Sequence, residues 1–107
     1  MDEKLIMEEL RVFVSNRDWE QFHTDANLAK SISIEAAELL EHYQWNESPD
    51  STGVLEELAD VLTYCYLLCS KLGVSPSAII RSKLAQTEEK YPLDKARGNA
   101  KKYTEWE

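Results

Sequence analysis

The sequence predicts an all-α fold, specifically a four-helix bundle, and three observations lead to that expectation. The 107 residues include only three glycines and three prolines, so long stretches lack the residues that interrupt helices. Apolar residues recur at the spacing of an amphipathic helix, and no segment alternates as a half-buried strand would. The length corresponds to one small domain, so we expect residues 1–107 to form a single domain.

The net charge of −8 argues against several classes of function. A surface of that sign repels nucleic-acid polymers and anionic membranes. No apolar run approaches the length of a membrane span, and the first residues lack the apolar core of a signal peptide. We therefore expect a cytoplasmic protein with neither a nucleic-acid polymer nor a membrane as partner. A nucleotide can still bind, because bound divalent cations reverse the local charge.

The first half of the chain predicts two helices joined by an aromatic-rich connector. Helix 1 is expected over residues 2–15, where apolar residues share one face and acidic residues suit the N-terminal end of the helix dipole. Helix 2 is expected over residues 26–44, with Thr24 or Asp25 as its N-cap residue. A loop over residues 46–53 follows, because that segment is rich in turn-forming residues.

The second half predicts two further helices and a tail. Helix 3 is expected over residues 54–72 and ends at Gly73, since glycine adopts the left-handed conformation that closes many helices. Helix 4 is expected over residues 76–90, with Ser75 as its N-cap and a proline at its first position. Residues 92–107 are expected to form an extended C-terminal tail.

Four carboxylates lie where the helical period places apolar residues or borders them. On a helical wheel of about 100° per residue, Glu35 falls inside the apolar stripe of helix 2, and Glu38 lies at the edge of that stripe. On helix 3, Glu57 borders the main stripe and Asp60 lies one turn further on. Residues three apart project from the same face of a helix. If the short loop packs the two helices antiparallel, the four carboxylates converge.

Converging carboxylates require a compensating charge, because buried anions are costly or take up protons. The nearby basic residues are badly placed: Lys30 lies on the other side of helix 2, and Lys71 lies at the far end of helix 3. Hard divalent cations prefer carboxylate and water oxygens. The sequence therefore predicts a site for a hard divalent cation, either Mg²⁺ or Mn²⁺. Its ligands are Glu35, Glu38, Glu57 and Asp60.

Other metal chemistries fit the sequence less well. A di-iron bundle needs Glu-x-x-His on two helices, whereas His42 follows Glu38 by four residues and helix 3 has no histidine. We expect His42 to be a polar neighbour of the acids rather than a ligand. Zinc would need a cluster of cysteine and histidine. Cys65 and Cys69 lie four apart on one helix, in poor geometry for a disulfide, and are expected to be small buried residues.

The acidic pattern resembles the metal motif of a known family. Glu35-x-x-Glu38 is followed, after eighteen residues, by Glu57-x-x-Asp60. This arrangement is similar to that of the all-α nucleoside triphosphate pyrophosphohydrolases, the MazG-like superfamily. The segments RDWEQFHTDANL, EAAELLEHYQW, EELADVLTY and KYPLDKARGNAKKYTE resemble the dCTP pyrophosphatase branch. The resemblance covers nearly the whole chain beyond about Phe13.

The resemblance implies a reaction. Members of the family hydrolyse a nucleoside triphosphate between its α- and β-phosphates, giving the monophosphate and pyrophosphate, with Mg²⁺ bound by the four acids. For this chain it implies dCTP or a related pyrimidine deoxynucleotide as substrate, in house-cleaning of the nucleotide pool. Glu35 and Glu38 are the candidate catalytic residues, since either could accept a proton from the attacking water.

The resemblance also implies substrate-binding residues. Trp19 and His23 match the segment that recognises the base, and Trp45 matches an aromatic residue that closes the pocket. Lys83 matches a lysine that contacts phosphate. Tyr64 follows the last acidic residue by one turn, and a flat pyrimidine can stack on such rings.

Two departures from the family concern helix 4 and the loop after helix 2. Family members often carry asparagine four residues before the tyrosine of the Lys-Tyr-Pro element, where this chain has Thr87. The loop NESPDSTG is shorter than in the animal enzyme and resembles the bacterial forms. Further cationic candidates for contact with pyrophosphate are Lys90, Arg97, Lys101 and Lys102.

Helix 3 is apolar on more than one face, which is typical of a helix buried on several sides. We therefore expect a homodimer or homotetramer with active sites near the subunit interfaces. One alternative is a non-catalytic oligomeric helical module whose acids bind a structural or regulatory cation. A second alternative is an enzyme that hydrolyses dUTP or a modified dCTP.

Overall fold

The structure, a computed structural model, describes residues 2–102 and residue 104, and within these residues it contains helices and no strand. The prediction of an all-α fold is therefore confirmed. That the four long helices form one bundle stays a prediction, as does the single domain. The elements in chain order are α1 (Asp2–Asn16), a 3₁₀ turn (Glu20–Phe22), α2 (Asp25–Tyr43), α3 (Ser51–Leu72), α4 (Pro76–Lys90) and α5 (Leu93–Ala96).

The predicted helix boundaries are confirmed where a side chain or a glycine fixes them. The hydroxyl of Thr24 accepts the backbone N–H of Asn27 and so caps α2. The hydroxyl of Ser75 accepts the backbone N–H of Ala78 at the start of α4. Gly73 closes α3 with a φ of 71°, in the left-handed region that glycine enters without steric cost.

One boundary prediction was wrong. Helix α3 begins at Ser51, three residues before the predicted start, because the residues assigned to the loop form its first turn instead. The N–H groups of a first turn need no intrahelical partner, so turn-forming residues are tolerated there. The predicted C-terminal tail includes the single-turn helix α5, which follows Pro92, and its lack of long regular structure stays a prediction. Of the predicted tail, residues 103 and 105–107 lie outside the described residues.

The chain divides into two compact units, one that contains α1 to α3 and ends at Val74, and one that begins at Ser75. Within the first unit α2 and α3 form the main packing pair, and α1 packs on α3. Helices α2 and α3 are antiparallel, as predicted. At one end His42 of α2 meets Gly53 of α3, and at the other end Leu28 and Leu67 line the same cavity.

Few apolar side chains are buried within the first unit. The buried hydrophobic residues in its described part are Val14, Leu28 and Cys69. The expectation for the two cysteines is met at Cys69, whereas Cys65 is only half-buried, and both are free thiols. Among the residues that the structure describes, no helix has both the length and the apolar character required to cross a bilayer.

Candidate metal centre

Carboxylates from α2 and α3 meet in the middle of the antiparallel pair. Glu35, Glu57 and Asp60 each contribute one oxygen atom, and these three oxygens lie within 4.8 Å of one another. Glu57 and Asp60 are one turn apart on α3, so they project from the same face. Glu35 enters from the facing side of α2 because its position falls in the apolar stripe that packs against α3. We call these three residues the acid cluster.

Glu38, the fourth predicted acid, adjoins the acid cluster. It lies one turn after Glu35 on α2, and its carboxyl group shares a hydrogen bond with that of Glu35. It makes a similar hydrogen bond with Glu57 on the facing helix. The structure therefore brings all four predicted acids into one region, with three of them closest together. Their role as metal ligands stays a prediction.

Two oxygen atoms of the acid cluster are shielded from solvent and lack a hydrogen-bond partner within the described residues. They are Oε2 of Glu35 and Oε2 of Glu57, and both side chains are half-buried. Buried polar atoms in native proteins almost always have a hydrogen-bond partner. An atom without one loses its hydration and gains no hydrogen bond in exchange. A cation held between these oxygens would supply that partner.

Proximity changes the acidity of two members of the acid cluster. The pKa of Glu35 is raised to about 7, first by the hydrogen bond with Glu38, then by burial, then by the nearby negative charges. Burial is the main cause that raises the pKa of Glu57, and Glu38 raises it further, whereas His42 lowers it. Without a metal ion, Glu35 and Glu57 therefore retain their protons to higher pH than an ordinary glutamate does. A divalent cation would reverse this tendency, because it favours the ionised carboxylates.

An imidazole flanks the acid cluster at the end of α2. Nε2 of His42 lies 3.9 Å from Oε1 of Glu57, which is beyond hydrogen-bond range but close enough for electrostatic attraction. The ring also lies directly against Gly53 in the first turn of α3. The sequence predicted that His42 lies beside the acids but did not predict this contact, because a glycine at a loop-like boundary gives no indication of what packs on it.

The predicted base-recognition residues of the connector lie outside the acid cluster. Trp19 precedes the 3₁₀ turn and is 43% exposed, with its ring edge-on to Phe13 at 5.7 Å between ring centroids. The guanidinium of Arg17 lies 3.7 Å from the centroid of the Phe13 ring. His23 lines a cavity of about 300 Å³ whose floor includes Leu28.

The other predicted substrate residues are spread along the chain. Trp45 lies two residues after the end of α2 and is 90% exposed. Tyr64 is half-buried on α3, one turn after Asp60. Lys83 belongs to the second unit, where it lines an exposed apolar groove of α4. The hydroxyl of Thr87, at the position where asparagine is frequent in the family, donates to the backbone carbonyl of Lys83.

Comparison with known proteins finds a consistent set of relatives. Residues 30–106 match the MazG-like family. The chain is 37% identical to dCTP pyrophosphatase 1 of Homo sapiens over 103 residues, which cover 87% of this chain and 61% of that protein. It is 36% identical to dCTP pyrophosphatase 1 of Mus musculus over 104 residues, with the same coverage. The chain thus spans 61% of the length of these curated relatives.

A solved structure extends this comparison to the fold. A pyrophosphatase from Archaeoglobus fulgidus superposes with a TM-score of 0.80 at 40% sequence identity. The match covers 86% of this chain and 94% of the archaeal chain. The similarity therefore reaches across most of both chains and includes the helices that carry the acid cluster.

Proposed function

Because the chain belongs to the MazG-like family, we propose that it is a nucleoside triphosphate pyrophosphohydrolase. The proposed reaction is hydrolysis between the α- and β-phosphates, which yields a nucleoside monophosphate and pyrophosphate. The observation that carries the proposal is the acid cluster, with two buried carboxylate oxygens that lack a partner among the described residues. The dCTP pyrophosphatases among the relatives make dCTP, or a related pyrimidine deoxynucleotide, the proposed substrate.

The donor set suits a hard divalent cation. All the available ligand atoms are carboxylate oxygens, which Mg²⁺ and Mn²⁺ prefer, and the triphosphate can supply further oxygens. We assign Glu35, Glu57 and Asp60 to the ion, with Glu38 as an additional ligand. When bound, the ion would offset the phosphate charge and make a coordinated water more acidic.

Two side chains of α2 are placed to move the proton of the attacking water. Glu35 belongs to the acid cluster, and Glu38 adjoins it through the hydrogen bond between their carboxyl groups. A general base must lie within hydrogen-bond reach of the proton that it accepts, or reach it through one water. Glu35 and Glu38 are therefore the two candidates for this role.

The exposed aromatic residues are proposed to bind the base. Trp19 and Trp45 present ring surface to solvent, and a pyrimidine can stack on such surfaces. We assign His23 and Tyr64 to the recognition of the base edge or the sugar. The ammonium group of Lys83 is proposed to contact phosphate.

The enzyme is proposed to act as a homodimer or homotetramer in the cytoplasm. Leu55, Leu58 and Leu62 support the assembly, because they form an exposed apolar stripe along one face of α3. We call this surface the leucine stripe. A second copy of the chain would cover it.

The direct test is to incubate the protein with dCTP and Mg²⁺ and to measure dCMP and pyrophosphate. A panel of nucleotides at fixed Mg²⁺ then ranks base and sugar preference. Release of orthophosphate instead of pyrophosphate would contradict the proposed cleavage position. If no nucleotide is hydrolysed although the protein binds Mg²⁺, the non-catalytic module replaces the enzyme.

Substitutions in the acid cluster should remove activity without unfolding the chain. We expect Asp60→Asn and Glu38→Gln each to lower kcat by about a hundredfold or more. Removal of one electrostatic group at a reacting centre commonly lowers kcat by about this factor. The matched control is Glu56→Gln, an exposed acid on the same helix. Circular dichroism should show unchanged helicity in all three variants. Normal turnover in both site variants would eliminate the proposed metal centre.

A further inference from the structure

The last turn of α2 contacts the first turn of α3 where the ring of His42 lies against Gly53. A Cβ atom added to Gly53 would lie 2.5 Å from Cε1 of the His42 ring, 3.2 Å from Nδ1 and 3.4 Å from Nε2. The first of these separations is shorter than real Cβ contacts allow. The imidazole thus occupies space that is open only because residue 53 has no side chain.

Gly53 also stands in the right register to act on the acid cluster. It lies four residues before Glu57 on α3, so the two positions are neighbours on the same helix face. A glycine inside a helix is less favourable than alanine, because it loses more backbone freedom on folding. Its presence is therefore explained by the ring that packs on it.

The two carboxylate oxygens of Glu57 have different surroundings. Oε1 faces Nε2 of His42 at 3.9 Å, whereas Oε2 is buried and lacks a hydrogen-bond partner within the described residues. His42 also lies one turn after Glu38 on α2, so it stands on the face that carries the acids. The imidazole therefore lies near Oε1 of Glu57, whereas Oε2 is available to bind a cation.

We propose that His42, seated against Gly53, is a positioning residue that orients the carboxylate of Glu57 in the acid cluster. Groups that hold a metal ligand from outside commonly change metal affinity by about ten- to a hundredfold when they are removed. The sequence predicts only that His42 neighbours the acids, and its packing on Gly53 gives it a defined role. The inference rests on the proposed metal centre.

The experiment measures binding of Mn²⁺ alone by calorimetry, without nucleotide. We expect His42→Ala to weaken binding by about tenfold or more. His42→Gln should recover most of the loss, because its amide N–H can occupy the place of Nε2. Gly53→Ala should weaken binding in the natural background, since the new methyl group displaces the ring. In the His42→Ala background the same substitution should have little effect, which makes the two positions strongly coupled.

Two controls separate positioning from a general effect on the fold. Thr52→Ala, at the adjacent exposed position of the same helical turn, should bind Mn²⁺ as the natural protein does. Thermal unfolding in EDTA reports the stability of each variant independently of metal. A merely structural role would lower the melting temperature in EDTA and leave the Mn²⁺ affinity of the folded chain unchanged.

Two results overturn the inference while the metal centre stands. One is natural Mn²⁺ affinity in His42→Ala. The other is an equal effect of Gly53→Ala with and without His42. If the natural protein itself binds no Mn²⁺, the proposed metal centre and the inference both fall. Mn²⁺ binding by the natural protein therefore tests the metal centre itself, whereas Mn²⁺ binding by the variants tests the role of His42.

Discussion

At the scale of single residues, the main feature is the unfavourable free energy of holding the carboxylates of the acid cluster close together. Glu35 shares a hydrogen bond with Glu38 and lies near two further acids, which together with burial raises its pKa to about 7. The unfolded chain lacks these neighbours, so its Glu35 keeps a pKa near the ordinary 4.5. The difference ties the stability of the metal-free protein to pH.

Metal-free protein should lose stability as pH rises between 4.5 and about 7. In this interval the folded chain retains a proton that the unfolded chain has released, so a rise in pH favours unfolding. The measurement is the melting temperature in EDTA across this range. Glu35→Gln should reduce the fall with pH, and saturating Mg²⁺ should remove it from the natural protein.

Glu41→Gln is the matched control for this experiment. Glu41 lies on the exposed side of α2, and its substitution should leave the slope of melting temperature against pH unchanged. Identical slopes for the natural protein and Glu35→Gln would show that Glu35 has no raised pKa in the folded chain.

At the scale of elements, the structure depends on where each helix begins and ends. The local sequence predicted the helix boundaries at Thr24, Ser75 and Gly73. At each of them a capping hydroxyl or a left-handed glycine fixes the end of the helix through contacts within a few residues. The local sequence was insufficient at Gly53, which resembles a loop residue in sequence but lies inside the first turn of α3. It lies against the ring of His42, and this contact between helices is one that no local sequence pattern contains.

Removal of the α2 cap tests this account of helix boundaries. Thr24→Ala should lower the free energy of unfolding by about 1 kcal/mol, because the N–H of Asn27 loses its side-chain acceptor. Thr24→Ser keeps the hydroxyl and should stay close to the natural value. The measurement is urea unfolding followed by circular dichroism at a fixed protein concentration. Equal stability of the alanine and serine variants would mean that the cap contributes nothing.

The helical period also predicted the candidate site at this scale. Glu35 was placed in the apolar stripe of α2, and its side chain is half-buried against α3 as that position requires. Glu57 and Asp60 followed from their spacing of three residues. The period does not predict distances between helices. The sequence therefore did not predict that three of the acids lie closest together with Glu38 beside them, and only the structure shows this arrangement.

At the scale of the whole molecule, exposed apolar surface is the dominant feature. The leucine stripe consists of Leu55, Leu58 and Leu62, which are 61%, 40% and 51% exposed. The sequence predicted a helix buried on several sides, yet within one chain α3 leaves this face uncovered. Periodicity shows which faces are apolar, but it does not show which molecule covers them. For the same reason, the sequence does not show how Lys83 of the second unit meets a substrate.

Disruption of the leucine stripe should dissociate the assembly. We expect light scattering with size-exclusion chromatography to show a dimer or tetramer for the natural chain, and a lower mass for Leu62→Glu, because a charge at this position opposes burial. Leu93→Glu is the matched control, since Leu93 is 80% exposed and belongs to α5 rather than to the stripe. A monodisperse natural monomer at micromolar concentration would contradict the assembly, and an unchanged mass for Leu62→Glu would remove the stripe from the interface.

The scarcity of buried apolar side chains in the first unit has a consequence for how the protein responds to dilution. Val14, Leu28 and Cys69 supply a small interior, so much of the apolar surface of this unit is left exposed within one chain. If a second copy covers that surface, folding and association form one equilibrium whose position follows mass action. The melting temperature then rises with protein concentration, and a dilute solution contains unfolded chains that a concentrated one does not.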